Sequence, residues 1–352
     1  MRRLRSITLV LALVLGLTGC SAPPADPDTA EEHVQFLAMD TVMTLSLYGE
    51  NRAEALSAAE DLIRSLEAKL SRTEEDSAVS RLNRGEAVEL DEELDSLLSL
   101  AAFFRLATEG AFNIGVAPLA STWGFTTDHY QVPDPSEISR LVKVVEETWL
   151  RDSPEGHVLE PGQAIDLGGI AKGYAADKLA ELFREREIPR AMASLGGNVL
   201  AWGNRPDGTP WRVGVQDPAR PDDQSAFAGI LSLKNAFAVT SGGYQRYFEE
   251  GGRVYHHILD PATGYPADSG LTSVTVVADY FPGESFGTLC DALSTAFFVM
   301  GEEDALDAWR EDWSRDVDLV LVTEDGRVVI TQGLAESFTL DEGSGYTLEI
   351  VS

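Results

Sequence analysis

Between Ala191 and Ala278 strand-like segments follow one another with little more than glycine-rich breaks between them. Ala191–Gly203 reads as two strands parted by a glycine pair, Trp211–Pro218 as another, and Ala228–Val239 as one or two more. The turn at Glu249–Arg253 makes a hairpin that returns through His256 and His257 to Asp260–Pro266, and Leu271–Ala278 is a further strand. Elsewhere helices and strands are mixed without strict βαβ alternation. That order favours a single α+β domain of mixed sheets flanked by helices over a doubly wound fold.

The helical segments are Ala53–Leu70, with Ala55, Ala59, Leu62, Ile63, Leu66 and Leu70 on one face, then a short capped turn at Asp76–Asn83, and Asp91–Thr108, capped by Asp91. Ser136–Val145, the stretch from the glycine turn near Gly168 to about Glu185, Cys290–Met300 and Glu303–Trp313 complete them. Val34–Tyr48 reads as a strand or hairpin, Glu147–Arg151 with His157–Ile165 as a second hairpin, and Val317–Thr323 with Arg327–Thr331 as the closing one. Ala111–Phe125 holds too much Gly and Pro for regular structure and reads as an aromatic-rich loop.

Residues 1–19 stand apart from the fold. Arg2, Arg3 and Arg5 precede an apolar run, Ile7–Leu17, too short to span a bilayer as a mature helix. The L-T-G-C that follows, Leu17–Cys20, matches a bacterial lipoprotein signal. It implies a lipidated Cys20 that anchors the chain to the cell membrane on its extracytoplasmic side without spanning it. Residues 20–33, Pro-rich and acidic, read as a flexible tether, and the domain runs over 34–352. Cys290 is the only other cysteine, so no intramolecular disulfide is available, and it reads as a buried free thiol.

The chain carries 27 basic and 58 acidic side chains, a net charge of −31, which becomes −34 once residues 1–19 and their three arginines are removed. Such a balance argues against nucleic acid as a partner. An anionic substrate would need local compensation from a metal, a lysine or a helix N-terminus.

Two stretches offer that compensation. Asp166–Asp177 reads D-L-G-G-I-A-K-G-Y-A-A-D, a glycine turn running at once into a helix with Lys172 in its first turn. Free N–H groups and the positive end of a helix dipole suit phosphate there; equally, the glycines could serve only a tight strand-to-helix turn. In C-D-A-L-S-T, Asp291, Ser294 and Thr295 stand at i, i+3, i+4. Three hard oxygen donors on one helix face could hold Mg²⁺; equally, they could form a helix start, with the acid favoured by the dipole. His256 and His257 are adjacent on a strand and point to opposite faces, so at most one serves a given site and zinc binding by the pair is disfavoured.

Seven segments in order resemble the bacterial FAD:protein FMN transferases, the ApbE family of flavin-trafficking lipoproteins. They are M-D-T at Met39, the run Phe112–Phe125, D-L-G-G-I-A-K-G-Y at Asp166, S-L-G-G-N at Ser194, T-S-G-G-Y at Thr240, H-I-L-D-P-A-T-G from His257, and D-A-L-S-T at Asp291. The resemblance implies transfer of FMN from FAD, with Mg²⁺, to a Thr or Ser hydroxyl of an exported target such as a membrane redox-complex subunit, releasing AMP. It implies metal ligation by Asp291, Ser294 and Thr295 with a backbone carbonyl at Gly169. Flavin-nucleotide contacts fall on Met39, Thr73, Ala111, Phe112, Asn113, Asp166, Lys172 and Ile258. His257 falls on the diphosphate strand, where a general base has been proposed for the family. The chain departs from the family pattern at Thr73, where an aromatic is usual, at Asp40, where a glycine is usual, and at Ser294, where many members carry an acid. Mg²⁺-dependent hydrolysis of FAD to FMN and AMP, and flavin binding without catalysis, remain alternatives at this level.

Overall fold

The structure, a computed structural model, describes residues 29–352 apart from 128 and 315. The expected signal segment, Cys20 and the tether up to residue 28 lie outside the described residues.

Nine strands form the central sheet. In chain order its members are β1 (Glu31–Ala38), β2 (Thr41–Tyr48), β5 (Arg190–Leu195), β6 (Asn198–Trp202), β9 (Ala236–Gly242), β12 (Leu271–Asp279), β13 (Asp318–Thr323), β14 (Arg327–Thr331) and β16 (Thr347–Val351), and this is also their order across the sheet. All neighbours are antiparallel except β14 and β16. Outside it lie the hairpins β3 (Arg151–Ser153) with β4 (Gly156–Val158) and β10 (Tyr247–Glu250) with β11 (Arg253–His256), and a three-stranded sheet of β7 (Trp211–Gln216), β8 (Phe227–Leu233) and β15 (Phe338–Leu340). The helices are α1 (Arg52–Leu70), α2 (Ala78–Asn83), α3 (Glu92–Ala107), α4 (Ala117–Trp123), α5 (Pro135–Glu147), α6 (Ala171–Glu185), α7 (Phe286–Met300) and α8 (Glu302–Trp309). The α+β expectation stands.

The inner strands of the central sheet are buried on both faces, and the two-residue period sorts their side chains. Phe237, Val239, Val274, Val276, Leu319, Leu321 and Val329 join the core shared with α1, α6 and α7. Their alternates Ala238, Val277, Val320, Val322, Val328 and Ile330 pack with Trp211, Leu231 and Phe338 of the smaller sheet. A third cluster, around Trp123, Phe125, Ile138, Leu141 and Leu259, fixes α4 and α5 beside the strand end that follows β11.

The first hairpin begins at Glu31, three residues inside the expected tether. The expected Ala111–Phe125 loop is instead a short 3₁₀ turn and α4: Pro118 falls in the first helical turn, where its missing N–H costs nothing, and Gly124 closes the helix in the left-handed region. The second hairpin is confined to Arg151–Val158. Past β14 the chain adds β15 and β16 rather than ending in a hairpin. Most consequentially, α7 starts at Phe286 rather than Cys290, so Asp291 lies inside the helix and is no helix-start residue.

Candidate active site

The site is built where α6 and α7 cross. Gly173 and Gly287 bring the two backbones together: a Cβ at Gly173 would stand 2.2 Å from the Gly287 carbonyl oxygen, and one at Gly287 would stand 2.7 Å from that of Gly173. Neither helix is capped by a side chain of its own N-cap residue. Each is capped by the other. Gly173 N–H, in the first turn of α6, donates to Asp291 Oδ2 at 2.8 Å. Gly287 N–H and Thr288 N–H of α7 donate to the two oxygens of Asp177 at 2.7 and 2.8 Å, and Thr288 Oγ1 adds a third bond at 2.6 Å. Each carboxylate meets the positive end of the partner helix, where anions are stabilised.

The crossing aims α7 at the glycine turn. Thr295 Oγ1 lies 3.5 Å from the point a Gly169 Cβ would occupy, with Phe112 Cε2 3.3 Å from the same point. Ser241, at the end of β9, pairs its hydroxyl with Ser294 Oγ at 2.8 Å and Thr295 Oγ1 at 3.3 Å. Lys172 Nζ donates to Gly168 O at 2.9 Å and stands 4.0 Å from Asp291 Oδ1. Asp166 shapes the turn: Oδ1 accepts from Gly168 N–H at 2.8 Å and Oδ2 pairs with Arg72 Nε at 3.0 Å. Asn83 fixes the preceding residue by two bonds to the Ile165 backbone.

Arg72, Asp166, Gly168, Gly169, Lys172, Ser241, Asp291 and Thr295 open onto one cleft of about 390 Å³, lined also by Met39, Ala111, Asn113, Arg246, His257 and Ile258. Met39 and Asp40 form the β1–β2 turn with φ of 49° and 59°, a left-handed pair suited to a two-residue hairpin. Asp, which tolerates that region, thus replaces the usual glycine. His257 donates a ring N–H through Nδ1 to the Arg246 carbonyl at 3.2 Å, because a carbonyl can only accept; Nε2 then carries the lone pair. Burial first, then the Arg246 guanidinium, push its pKa down to about 3, so the ring is neutral. His256 points elsewhere, with Nε2 on the Ala267 carbonyl at 3.0 Å and its ring edge-on to Phe298. Cys290 is a buried free thiol, its pKa driven well up by burial.

Two expected site residues fall elsewhere. Thr73 is exposed and does not line the cleft; its hydroxyl pairs with Ser71 Oγ at 3.0 Å. The preceding Arg72 lines the cleft instead. Ser294 is fully buried behind the lining, bonded to the Asp291 carbonyl at 3.0 Å, and reaches the cleft only through Ser241. Ser241, Arg72 and Arg246 escaped the sequence reading, although Ser241 lies within the T-S-G-G-Y segment.

A metal fits this donor set. Asp291 is 3% exposed, with Oδ2 held by Gly173 N–H and Oδ1 turned to the cleft, which the hydroxyls of Ser241 and Thr295 also line. Among the described residues no three His, Cys, Asp or Glu side chains cluster as ligands. One carboxylate with neutral oxygens suits a hard cation that completes its shell with substrate phosphate. Arg72, Lys172 and Arg246 set three cations in the cleft of a strongly acidic protein, as an anionic ligand requires.

Fold and cleft together define a class: α+β proteins with a cleft between a glycine turn and a facing helix, lined by basic side chains and hard oxygen donors. The chain belongs to the ApbE family, whose model matches residues 39–320. It is 32% identical to the FAD:protein FMN transferase of Klebsiella pneumoniae strain 342 over 313 residues, covering 87% of this chain and 93% of the relative. It is equally 32% identical to that of Treponema pallidum, covering 85% and 86%. The crystal structure of the ApbE protein of Thermotoga maritima superposes with a TM-score of 0.74 at 33% identity, over 89% of this chain and 98% of that one.

Proposed function

We propose that this chain is a Mg²⁺-dependent FAD:protein FMN transferase, tethered by a lipid on Cys20 to the extracytoplasmic face of the cell membrane. The observation that carries the reading is the convergence of Asp291 and Thr295, the Gly168–Gly169 turn, Lys172 and His257 on one cleft. In the reaction an acceptor Thr or Ser oxygen attacks the FMN phosphorus. The new P–O ester bond forms as the bond to AMP breaks, AMP leaves, and the hydroxyl proton passes to His257 Nε2. Asp291, Thr295 and Ser241, with a main-chain oxygen at Gly169, would hold the cation, which neutralises diphosphate charge and polarises phosphorus when bound. Lys172 and Arg246 hold diphosphate oxygens, and Asp166 orients the glycine turn beneath them. A diphosphate would offset the Arg246 and Lys172 charges that add to burial in depressing His257.

The test is mass spectrometry of a redox-complex subunit co-expressed with this chain, together with AMP release from FAD in vitro. A covalent FMN adduct and stoichiometric AMP, both abolished by EDTA and restored by Mg²⁺, are the expected result. AMP without an adduct would make the chain a hydrolase; tight FAD binding without AMP would make it a flavin carrier.

A further inference from the structure

Among the described residues, the hairpin of β10 and β11 bonds to neither of the larger sheets. Its place is set by side chains. Phe248 and Tyr255 face each other across it, and the two-residue period puts Arg246 and His257, at its two feet, on the same side. His257 extends the ladder by one pair: its backbone N–H donates to Arg246 O at 3.0 Å, and its Nδ1–H donates to the same oxygen at 3.2 Å. One carbonyl therefore fixes both the ring and its tautomer. Both feet line the cleft, whereas Phe248 and Tyr255 do not.

Those two rings belong to a ladder. Tyr130 lies flat on Phe248, with centroids 5.3 Å apart at 14°, and Phe248 lies on Tyr255, 5.2 Å apart at 21°. Trp123 and Phe125, both buried at the C-terminal end of α4, meet Phe248 at 6.3 and 5.8 Å. The base of the ladder is fixed, because Trp123 Nε1 donates to Gly264 O at 2.8 Å. Arg246 is tied to the same base: its Nη1 donates to Phe125 O at 3.1 Å. The outer face of the hairpin is open, with Tyr247 43% and Val254 52% exposed. Its tilt therefore rests on the ladder and on His256, edge-on to Phe298 at its foot.

We propose that Phe248 and Tyr130 are positioning residues: through the hairpin they hold the Arg246 carbonyl, and so keep the His257 Nε2 lone pair free and aimed into the cleft. The proposal rests on the transferase reading above. Neither ring lines the cleft, so each acts through Arg246 and His257. Tilting the hairpin parts His257 Nδ1 from the Arg246 oxygen. The ring can then carry its proton on Nε2, the atom that has to accept one from the acceptor hydroxyl. Misplacing a reacting group by about 1 Å costs up to about a hundredfold in rate.

The experiment uses the full chain. Phe248→Ala removes the central ring and Tyr130→Ala an outer one at a 37% exposed site, while Phe248→Tyr and Tyr130→Phe keep the stack. Phe103→Ala is the control, since it removes an aromatic that packs on Phe104 and Trp313 instead. Imidazole nitrogen NMR of the FAD-free protein at neutral pH reads the His257 tautomer, assigned against His257→Gln, and AMP release from FAD reads kcat. The parent and both conservative variants should hold the proton on Nδ1. In Phe248→Ala the Nε2–H form should appear and kcat should fall at least about tenfold; Tyr130→Ala should move both the same way, with kcat at least about threefold lower. Phe103→Ala should change neither. A Phe248→Ala chain with the parent's tautomer and kcat overturns the positioning role, as does a Phe103→Ala chain that loses as much. If Phe248→Ala unfolds, Tyr130→Ala decides by the same two readouts. A parent chain that releases no AMP overturns the transferase reading alone, because the tautomer is read without FAD.

Discussion

Replacing Gly173 with Ala should unfold what replacing Gly169 with Ala leaves standing. At 173 the new methyl would sit 2.2 Å from Gly287 O and 2.6 Å from Asp291 Cβ. A carbon against a carbonyl oxygen needs about 3.3 Å, so α6 and α7 must part by about 1 Å. That movement stretches the Gly173–Asp291 bond and the three bonds to Asp177, now 2.6–2.8 Å, beyond hydrogen-bond range. Overpacking costs about 1–3 kcal/mol. Each weakened bond to a carboxylate adds about 1.5–3 kcal/mol when fully lost. The better helix propensity of Ala returns only about 1 kcal/mol. With partial relaxation the net loss is about 3–5 kcal/mol. At 169 the methyl meets Phe112 Cε2 at 3.3 Å and Thr295 Oγ1 at 3.5 Å, contacts a small shift absorbs. Its stability should change by less than about 1 kcal/mol, while the methyl intrudes between the turn and Thr295 and lowers transfer at least about tenfold. Urea unfolding followed by tryptophan fluorescence measures the first effect and AMP release the second. A Gly173→Ala variant with the parent's midpoint would refute the reciprocal capping.

Asp291→Asn keeps an acceptor for Gly173 N–H but loses the charge; unfolding should shift by less than about 1 kcal/mol while transfer falls at least about a hundredfold, measured by AMP release across a Mg²⁺ series. Arg72→Ala removes the partner of Asp166 and should weaken FAD about tenfold, whereas Thr73→Ala should leave it unchanged, both read by flavin fluorescence. His257, held down to about 3, should stay neutral in the free protein throughout pH 5–8, checked by imidazole NMR against a His257→Gln control. Because its folded pKa lies below the unfolded value, the unfolded chain takes up a proton the native chain refuses. Stability is therefore lost as pH falls from about 6.5 toward 3, and His257→Gln should flatten that limb of the urea midpoint.

The strands and long helices were legible because their periods are local. Ala53–Leu70 and Asp91–Thr108 came within a residue or so of α1 and α3, since Asp91 does cap α3, accepting from Leu94 N–H at 2.9 Å. What stayed hidden was set by distant partners. No neighbour in sequence announces the start of α7, because its capping carboxylate is Asp177, 110 residues from Gly287 in sequence. Pro118 and Gly124 read as breakers, yet both sit at helix ends, where they do no harm. The family resemblance points to Thr73, but the turn after α1 presents Arg72 to the cleft instead.

The same geometry explains why the acid at 291 was open to two readings. In sequence, the carboxylate at 291 fits either a dipole partner or a metal ligand. The fold makes it a dipole partner of α6 rather than of its own helix, and leaves its second oxygen at the cleft for the proposed cation. Oδ2 is fixed on Gly173 N–H, and that bond orients the carboxyl group so that Oδ1 is left beside Lys172 at the cleft. The packing contact at Gly173 therefore also sets the position of the cleft-facing oxygen. Any substitution that opens the α6–α7 crossing must displace Asp291 Oδ1 and Thr295 Oγ1 from the glycine turn together, so in this chain loss of cation affinity should track loss of stability along that contact and nowhere else.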